Sequence, residues 1–355
     1  MDMMYAQVIE APEKMAYKQV PIPEIGPGEV LVKVKLCGIC GSDWNIYKGW
    51  YASEKLPLIT GHEFWGTVEK TGAGTKGLKA GDRVAVDLCI SCGTCYFCRR
   101  GDRLLCQSFT QLGIHADGGF AEYVRVPWEN CYIIPEEIDG YAAAFIEPLT
   151  TAIQASRRMG SELGASVAVI GPGLGILHAQ VAKLRGAAPV ILVGSNKKRL
   201  ETARKMGAAD YIVDINDTPD AVAEVRKLTG GIGADYVVEA VGSTVTYEQA
   251  FAMLRRGGKL EAFGICAEGE CASIPPYEFV LGEKKVSGSC AGIGNDWGVA
   301  ISLLKYKRVD PSPMYSMAVP LAELECALHE LHTPGHGLMK VFVGPDISER
   351  IIFNK

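Results

Sequence analysis

Val167-Ala168-Val169-Ile170-Gly171-Pro172-Gly173-Leu174-Gly175 sets four apolar residues in a row before three glycines in five positions. The apolar run has the length of a strand buried on both faces, and the glycines mark a turn into a helix expected over 174–185. Such a turn lets backbone amides approach a pyrophosphate, while the helix N-terminus supplies donors and a favourable dipole. Gly171, Gly173, Leu174 and Gly175 are therefore candidate dinucleotide contacts. The usual spacing is G-x-G-x-x-G; here it is G-x-G-x-G, so either the loop is one residue short or Ile176 takes the third position. Further strands are expected at 190–193, 211–213, 236–240, 259–263 and 286–289, and helices at 197–206, 219–228 and 245–256. That alternation predicts an α/β domain with a doubly wound parallel sheet over residues 151–290.

The second strand ends at Gly194-Ser195-Asn196-Lys197-Lys198-Arg199. Enzymes selecting NAD usually place an acid there for the ribose hydroxyls. None is present; Gly194 and Ser195 leave room, and Lys197, Lys198 and Arg199 offer positive charge to a 2′-phosphate. The expectation is NAD(P), leaning to NADP. The plainer reading is a basic helix start facing solvent.

Outside this core the pattern changes. Residues 1–35 and 68–86 alternate apolar and polar between Pro and Gly turns, and 120–126 follows Gly118-Gly119 as a strand, so the first ~145 residues read as short antiparallel strands. The tail is expected to hold helices at 297–306 and 321–331 and a strand at 339–343, and to rejoin the N-terminal part. The boundaries predicted are 1–150 with 291–355 for a mostly-β domain, and 151–290 for the nucleotide domain. A chain of 355 residues is long for one core. Its net charge of -5 and pI near 5.8 argue against nucleic acid or an anionic membrane as partner. No run reaches the ~20 apolar residues of a spanning helix, and the acids near the start do not suit a signal peptide, so a cytoplasmic protein is expected.

Twelve cysteines in such a chain suggest metal rather than disulfides. Cys92-x2-Cys95-x2-Cys98-x7-Cys106 places four thiolates in one lobe, 89–106, and can close a tetrahedral zinc; an iron–sulfur cluster is the alternative. A second ligand set is spread out: Cys40 in Cys37-Gly38-Ile39-Cys40-Gly41-Ser42-Asp43, His62 and Glu63 in Gly61-His62-Glu63, and Glu147 before Pro148. Three protein ligands of these types with one open position make a catalytic zinc site. Asp43 reads as a structural acceptor. Trp44, Tyr47, Trp50 and Tyr51 either wall a substrate cleft or pack the domain. His115 and Trp297 are weaker pocket candidates. His329, His332 and His336 read as a solvated turn.

Gly-Ile-Cys-Gly-Ser-Asp, Gly-His-Glu, the four-cysteine lobe, Gly-Gly-Phe-Ala-Glu-Tyr and the glycine turn occur in the order seen in zinc-dependent medium-chain dehydrogenases/reductases, and the chain resembles that family over essentially its whole length. It looks closest to the polyol and threonine dehydrogenase branch, because Glu63 follows His62 and Glu147 precedes Pro148. The resemblance implies a GroES-like catalytic domain split in sequence around a Rossmann domain. It implies a catalytic zinc on Cys40, His62 and either Glu63 or Glu147, and a structural zinc on Cys92, Cys95, Cys98 and Cys106. It maps cofactor contacts onto the glycine turn, Gly194-Ser195, Arg199 and Phe263-Gly264-Ile265. The chemistry implied is zinc lowering the pKa of an alcohol, hydride passing to the nicotinamide, and Ser42 passing the proton outward. Relatives end that relay in a histidine where this chain has Asn45. The substrate expected is a secondary alcohol, whether a polyol, a sugar-derived alcohol or a hydroxy amino acid, and the assembly expected is a homodimer or homotetramer. Two alternatives stand beside it: an NADPH-dependent carbonyl reductase of the same fold, and a non-catalytic zinc-stabilised nucleotide-binding protein.

Overall fold

The computed structural model describes residues 2–333, 335 and 337–353. The chain divides into two compact units, Met1–Pro148 with Ile293–Lys355, and Leu149–Gly292.

The second unit holds six parallel strands in the order Tyr211–Asp214, Val190–Gly194, Val167–Ile170, Ala234–Glu239, Leu254–Ala262, Lys285–Gly288. Val167–Ile170 is the first of these in sequence and lies third in space. The order therefore reverses beside it, and the crevice at its carboxyl end is where such sheets bind ligands. Val167, Ala168 and Val169 are wholly buried, which explains the unbroken apolar run. One expectation needs correction, and one element was not anticipated. The helix expected over 245–256 is Thr244–Met253, and Leu254 already pairs with Ala234. The Arg255 guanidinium meets Asp235 at 2.5 Å, so a cross-strand ion pair draws the chain out of the helix. Pro276–Gly282, not anticipated, is a helix with proline at its start, and Phe279 packs against Phe251 with ring centroids 4.8 Å apart.

His178, on the helix Gly175–Leu184, is 4% exposed and edge-on to Phe263 at 4.4 Å. Burial pushes its pKa down to about 3, from 6.5. The unfolded chain therefore takes a proton near pH 6.5 that the folded one refuses, and stability falls as pH drops through that window. His178→Phe is expected to lose about 2 kcal/mol less stability than wild type between pH 7 and pH 5. Denaturant unfolding at the two pH values checks this; identical pH dependence in both proteins would sink it.

The first unit is built on an eight-stranded sheet. Its path runs Ile351–Ile352, Tyr315–Pro320, Lys340–Gly344, Glu29–Gly38, Glu63–Thr71, Arg83–Val86, Cys131–Ile133, with Tyr123–Pro127 also paired to Glu29–Gly38. Tyr315–Pro320 and Ile351–Ile352 were not anticipated; the tail thus adds three strands, not one. Register does the positioning: Gly38 lies opposite Glu63 on one side and Phe342 on the other. Two closely spaced helices, Gly140–Ala143 and Ile146–Met159, follow Cys131–Ile133. Asp139 caps the first by accepting from the Tyr141 and Ala142 amides.

The aromatic readings divide. Trp297 is wholly buried and stacked on Tyr132 at 5.5 Å, so it is core and not pocket. Trp44 stacks on His332 at 4.6 Å, and Tyr47 donates to Glu325 at 2.9 Å, so both pack against the helix Leu324–His332. His329 and His332 accordingly end a helix rather than sit in a turn, His329 still exposed and His332 half-buried against Trp44; His336 lies outside the described residues. Among the described residues no helix is long and apolar enough to cross a membrane.

Candidate metal centre and cofactor loops

Cys40 follows the strand Glu29–Gly38, and His62 immediately precedes Glu63–Thr71. Because these strands are antiparallel neighbours, one strand's end and the other's start fall side by side. One ligand atom each from Cys40, His62 and Glu63 lies within 4.8 Å of the others. Asp43, 1% exposed, staples the two segments: its carboxylate accepts from the Cys40 amide at 2.8 Å and from the Gly61 amide at 3.1 Å. Burial holds its pKa above the usual carboxylate range.

The electrostatics favour a cation here. Burial opposes charge on His62, yet Cys40, Asp43 and Glu147 outweigh it and push the imidazole up to about 10. His62 Nδ1 is buried without a hydrogen-bond partner, 4.0 Å from an Asp43 oxygen. A thiol, an imidazole and a carboxylate in a pocket that attracts positive charge fit zinc. Glu147, 6% exposed in the first turn of Ile146–Met159, is not among the three converging groups. It feels them nonetheless. Burial raises its pKa to about 7; His62 and Lys340 pull down against that, and Glu63 adds to it.

Sequence reasoning missed Lys340. It is 4% exposed, its ammonium is ion-paired to Glu63, and it donates to the Ile39 carbonyl at 3.2 Å. A Cβ on Gly38 would overlap the Glu63 carboxylate, so glycine there lets the acid lie across the strand. Lys340 stands 277 residues from Glu63, and no local pattern marks it.

The four lobe cysteines also converge within 4.8 Å. Amides of Cys95 and Ser108 point at the sulfurs of Cys92 and Cys106, at 3.4 and 3.3 Å, as suits thiolates held for a metal. Hydrogen bonds from Thr94, first by its backbone, lower Cys92 to about 6. Burial raises Cys98 to about 11. Four thiols cannot all ionise at such separations without a cation between them.

In the second unit the expected loops gather at the strands' carboxyl ends. Gly171 has φ +109°, and a side chain there would press on Val241 at 2.8 Å. Gly175, not Ile176, makes the close helix-to-strand approach, with Val169 at 3.0 Å from an added Cβ; Ile176 is buried at the third position. An Arg199 guanidinium nitrogen would lie 3.6 Å from a Cβ on Gly173, while Ser195 and Lys198 are exposed. Asn216, not anticipated, donates its amide to the Ser195 carbonyl at 2.7 Å. Phe263 and Gly264 amides donate to the Glu239 carbonyl.

Glu239 was missed as well. It is wholly buried, and its carboxylate accepts from the Val241 and Gly242 amides at 2.9 and 3.0 Å and from the Thr246 hydroxyl at 2.8 Å. It thereby fixes the loop that Gly264 and Ile265 pack against. Glu239→Leu is expected to weaken reduced-nicotinamide binding about tenfold by leaving two amides unheld. Fluorescence titration reads this, and wild-type affinity would contradict it.

Two family models match the chain. "Alcohol dehydrogenase GroES-like domain" covers residues 26–136, and "Zinc-binding dehydrogenase" covers 173–306. A sorbitol dehydrogenase of Halalkalibacterium halodurans is 35% identical over 89% of this chain and 92% of its own. An L-threonine 3-dehydrogenase of Pyrococcus horikoshii is 40% identical over 70% and 71%. The crystal structure of a zinc-binding dehydrogenase from Sinorhizobium meliloti bound to NADP superposes with a TM-score of 0.91 at 33% identity, covering 97% of this chain and all of that one.

Proposed function

This chain belongs to the zinc-binding dehydrogenases with a GroES-like alcohol dehydrogenase domain, and from that premise we propose that it oxidises a polyol or hydroxy amino acid at a centre made by Cys40, His62 and Glu63, with NADP preferred to NAD. It is a zinc- and NAD(P)-dependent oxidoreductase acting on a small-molecule alcohol. The observation that carries the residue assignment is the convergence of the three ligand atoms in a pocket that draws positive charge.

When bound, zinc supplies a Lewis acid that makes the substrate hydroxyl more acidic, and the nicotinamide accepts the hydride. The protein's part is placement and proton handling. Asp43 fixes Cys40 and the turn before His62 relative to each other. Ser42 Oγ, 3.4 Å from Cys40 Sγ, is the hydroxyl that takes the substrate proton. Asn45 cannot accept it next, so it leaves to water or a ribose hydroxyl. Glu63 would be the third ligand, with Lys340 balancing its charge. Glu147, pushed up to about 7 by burial, would be the acid able to take its place.

Cys92, Cys95, Cys98 and Cys106 hold a second, structural zinc. For the cofactor, the Arg199 guanidinium beside Gly173 and the Gly194-Ser195 strand end, which carries no acid, favour a 2′-phosphate, and the solved relative bound to NADP supports that reading. The strand Lys285–Gly288 lies at one edge of its sheet, with Val286 exposed, and suits a homodimer or homotetramer. A cytoplasmic location accords with the reduced thiols. Carbonyl reduction is the same chemistry in reverse.

The test crosses polyols, hydroxy amino acids and simple secondary alcohols with NAD and NADP, following absorbance of the reduced nicotinamide on zinc-loaded protein. Turnover with a vicinal diol or hydroxy amino acid, at a kcat/KM at least about tenfold higher with NADP, is the expected result. A preference for NAD would overturn the cofactor assignment, and absence of turnover across the panel would overturn the substrate class.

A further inference from the structure

A groove of about 600 Å³ opens in the first unit, between the hairpin Met3–Ala11/Lys14–Pro21, the strand Tyr123–Pro127 and two loops. Its volume is that of a small-molecule site. None of Cys40, His62, Glu63 or Glu147 lines it. Its floor is apolar, with Met4, Val8, Leu58, Ile59, Leu112 and Val124 beneath the opening. Its rim carries Lys18, Lys55 and Arg125 against one carboxylate, Asp117, in a chain whose net charge is -5.

The rim charges are available to a ligand. Lys55 makes no ion pair among the described residues. Lys18 and Arg125 pair with Glu10 and Glu29, at 2.6 and 3.5 Å, on the protein surface. Exposed pairs of that kind contribute little, so either cation can turn to a new anion at small cost. Asp117 is engaged already: one of its oxygens accepts from the Ile59 amide at 3.1 Å. His115 adds an independent sign of a ligand. Its Nδ1 is buried with no hydrogen-bond partner, and its ring lies edge-on to Tyr51 at 6.5 Å. Burial and the Lys55 ammonium hold its pKa below the usual imidazole range, which favours the neutral ring.

We propose that this groove is a second binding site, separate from the metal centre, for a small amphipathic monocarboxylate whose apolar body lies on the floor and whose carboxylate is held at the rim by Lys55. Lys55, without an ion pair among the described residues, is the anchor, and Lys18 and Arg125 stay shared with Glu10 and Glu29, which suits a single charge rather than a phosphate dianion. The apolar floor asks for a hydrocarbon body rather than a sugar. Both walls lead into the metal centre's second ligand. Leu58 and Ile59 run on to Thr60, Gly61 and His62. The loop bearing Leu112 and His115 presses Gly113 against the Gly61 backbone, leaving no room for a side chain there.

Octanoate is the probe, titrated calorimetrically into zinc-loaded full-length protein without nicotinamide. The expected result is saturable binding, weakened at least tenfold by Lys55→Glu, on an exposed side chain, and abolished by Val20→Trp, which fills the groove from the hairpin. Octanamide, the uncharged isostere, is expected to bind at least tenfold more weakly. Cys40→Ser separates the two possible locations, because binding in the groove survives it. The proposal is overturned if octanoate does not bind, if both groove variants bind as wild type does, or if binding disappears in Cys40→Ser alone.

Discussion

Cys40→Ser is expected to lower turnover by roughly a thousandfold or more, corresponding to about 4 kcal/mol of lost transition-state stabilisation. A serine hydroxyl is a far poorer zinc ligand than a thiolate, and Cys40 is the one soft donor among the three groups that converge. The fold should survive. Cys40 is partly exposed at a turn, and the amide that Asp43 grips belongs to the backbone and remains. Two clusters predict two zinc ions per chain in the wild type and one, in the lobe, in the variant. Elemental analysis beside steady-state kinetics reads both quantities. Retained turnover with one zinc missing would show that the Cys40 centre is not where the alcohol is oxidised.

Lys340→Met carries the second large effect. It removes the only cation among the described residues ion-paired to Glu63, whose carboxylate is 1% exposed, and takes a donor from the Ile39 carbonyl. Breaking a buried pair from one side costs about 3–5 kcal/mol, because the remaining charge has no partner. The expected loss is of that size in metal-free protein and smaller in zinc-loaded protein, where Glu63 has the ion to turn to. Lys340→Arg keeps the charge and should lose less than either. Unfolding midpoints with and without zinc test the difference. Equal losses in both states would show that Glu63 does not reach the metal, and would pass the third ligand to Glu147.

These two residues also show where the sequence could be read and where it could not. Cys40 stands out because its signal is local: glycines, thiol, hydroxyl and acid in seven residues after an alternating run. The lobe is legible for the same reason, as is the parallel sheet, whose buried strands have an unbroken apolar run as their mark. Lys340 has no such signal. It reads as an ordinary lysine beside a strand, and its meaning arises only when Lys340–Gly344 pairs with Glu29–Gly38. Glu239 is hidden likewise, since an acid ending a strand is unremarkable until the loop amides fold back onto it. Leu254-Arg255-Arg256 has good helix formers, and the helical expectation there failed because pairing with Ala234 and Asp235 outweighs propensity. Trp297 could not be assigned from sequence, because a tryptophan's place in core or pocket depends on what stacks against it.

The most direct test of the account is zinc removal and return. Protein dialysed against a chelator and shown by circular dichroism to remain folded would be assayed on the alcohol giving highest turnover, then reassayed as zinc is added back. The account predicts no turnover in the stripped protein and recovery with zinc but not magnesium, because a thiolate and an imidazole select the softer ion. Full turnover in folded protein free of zinc would contradict it.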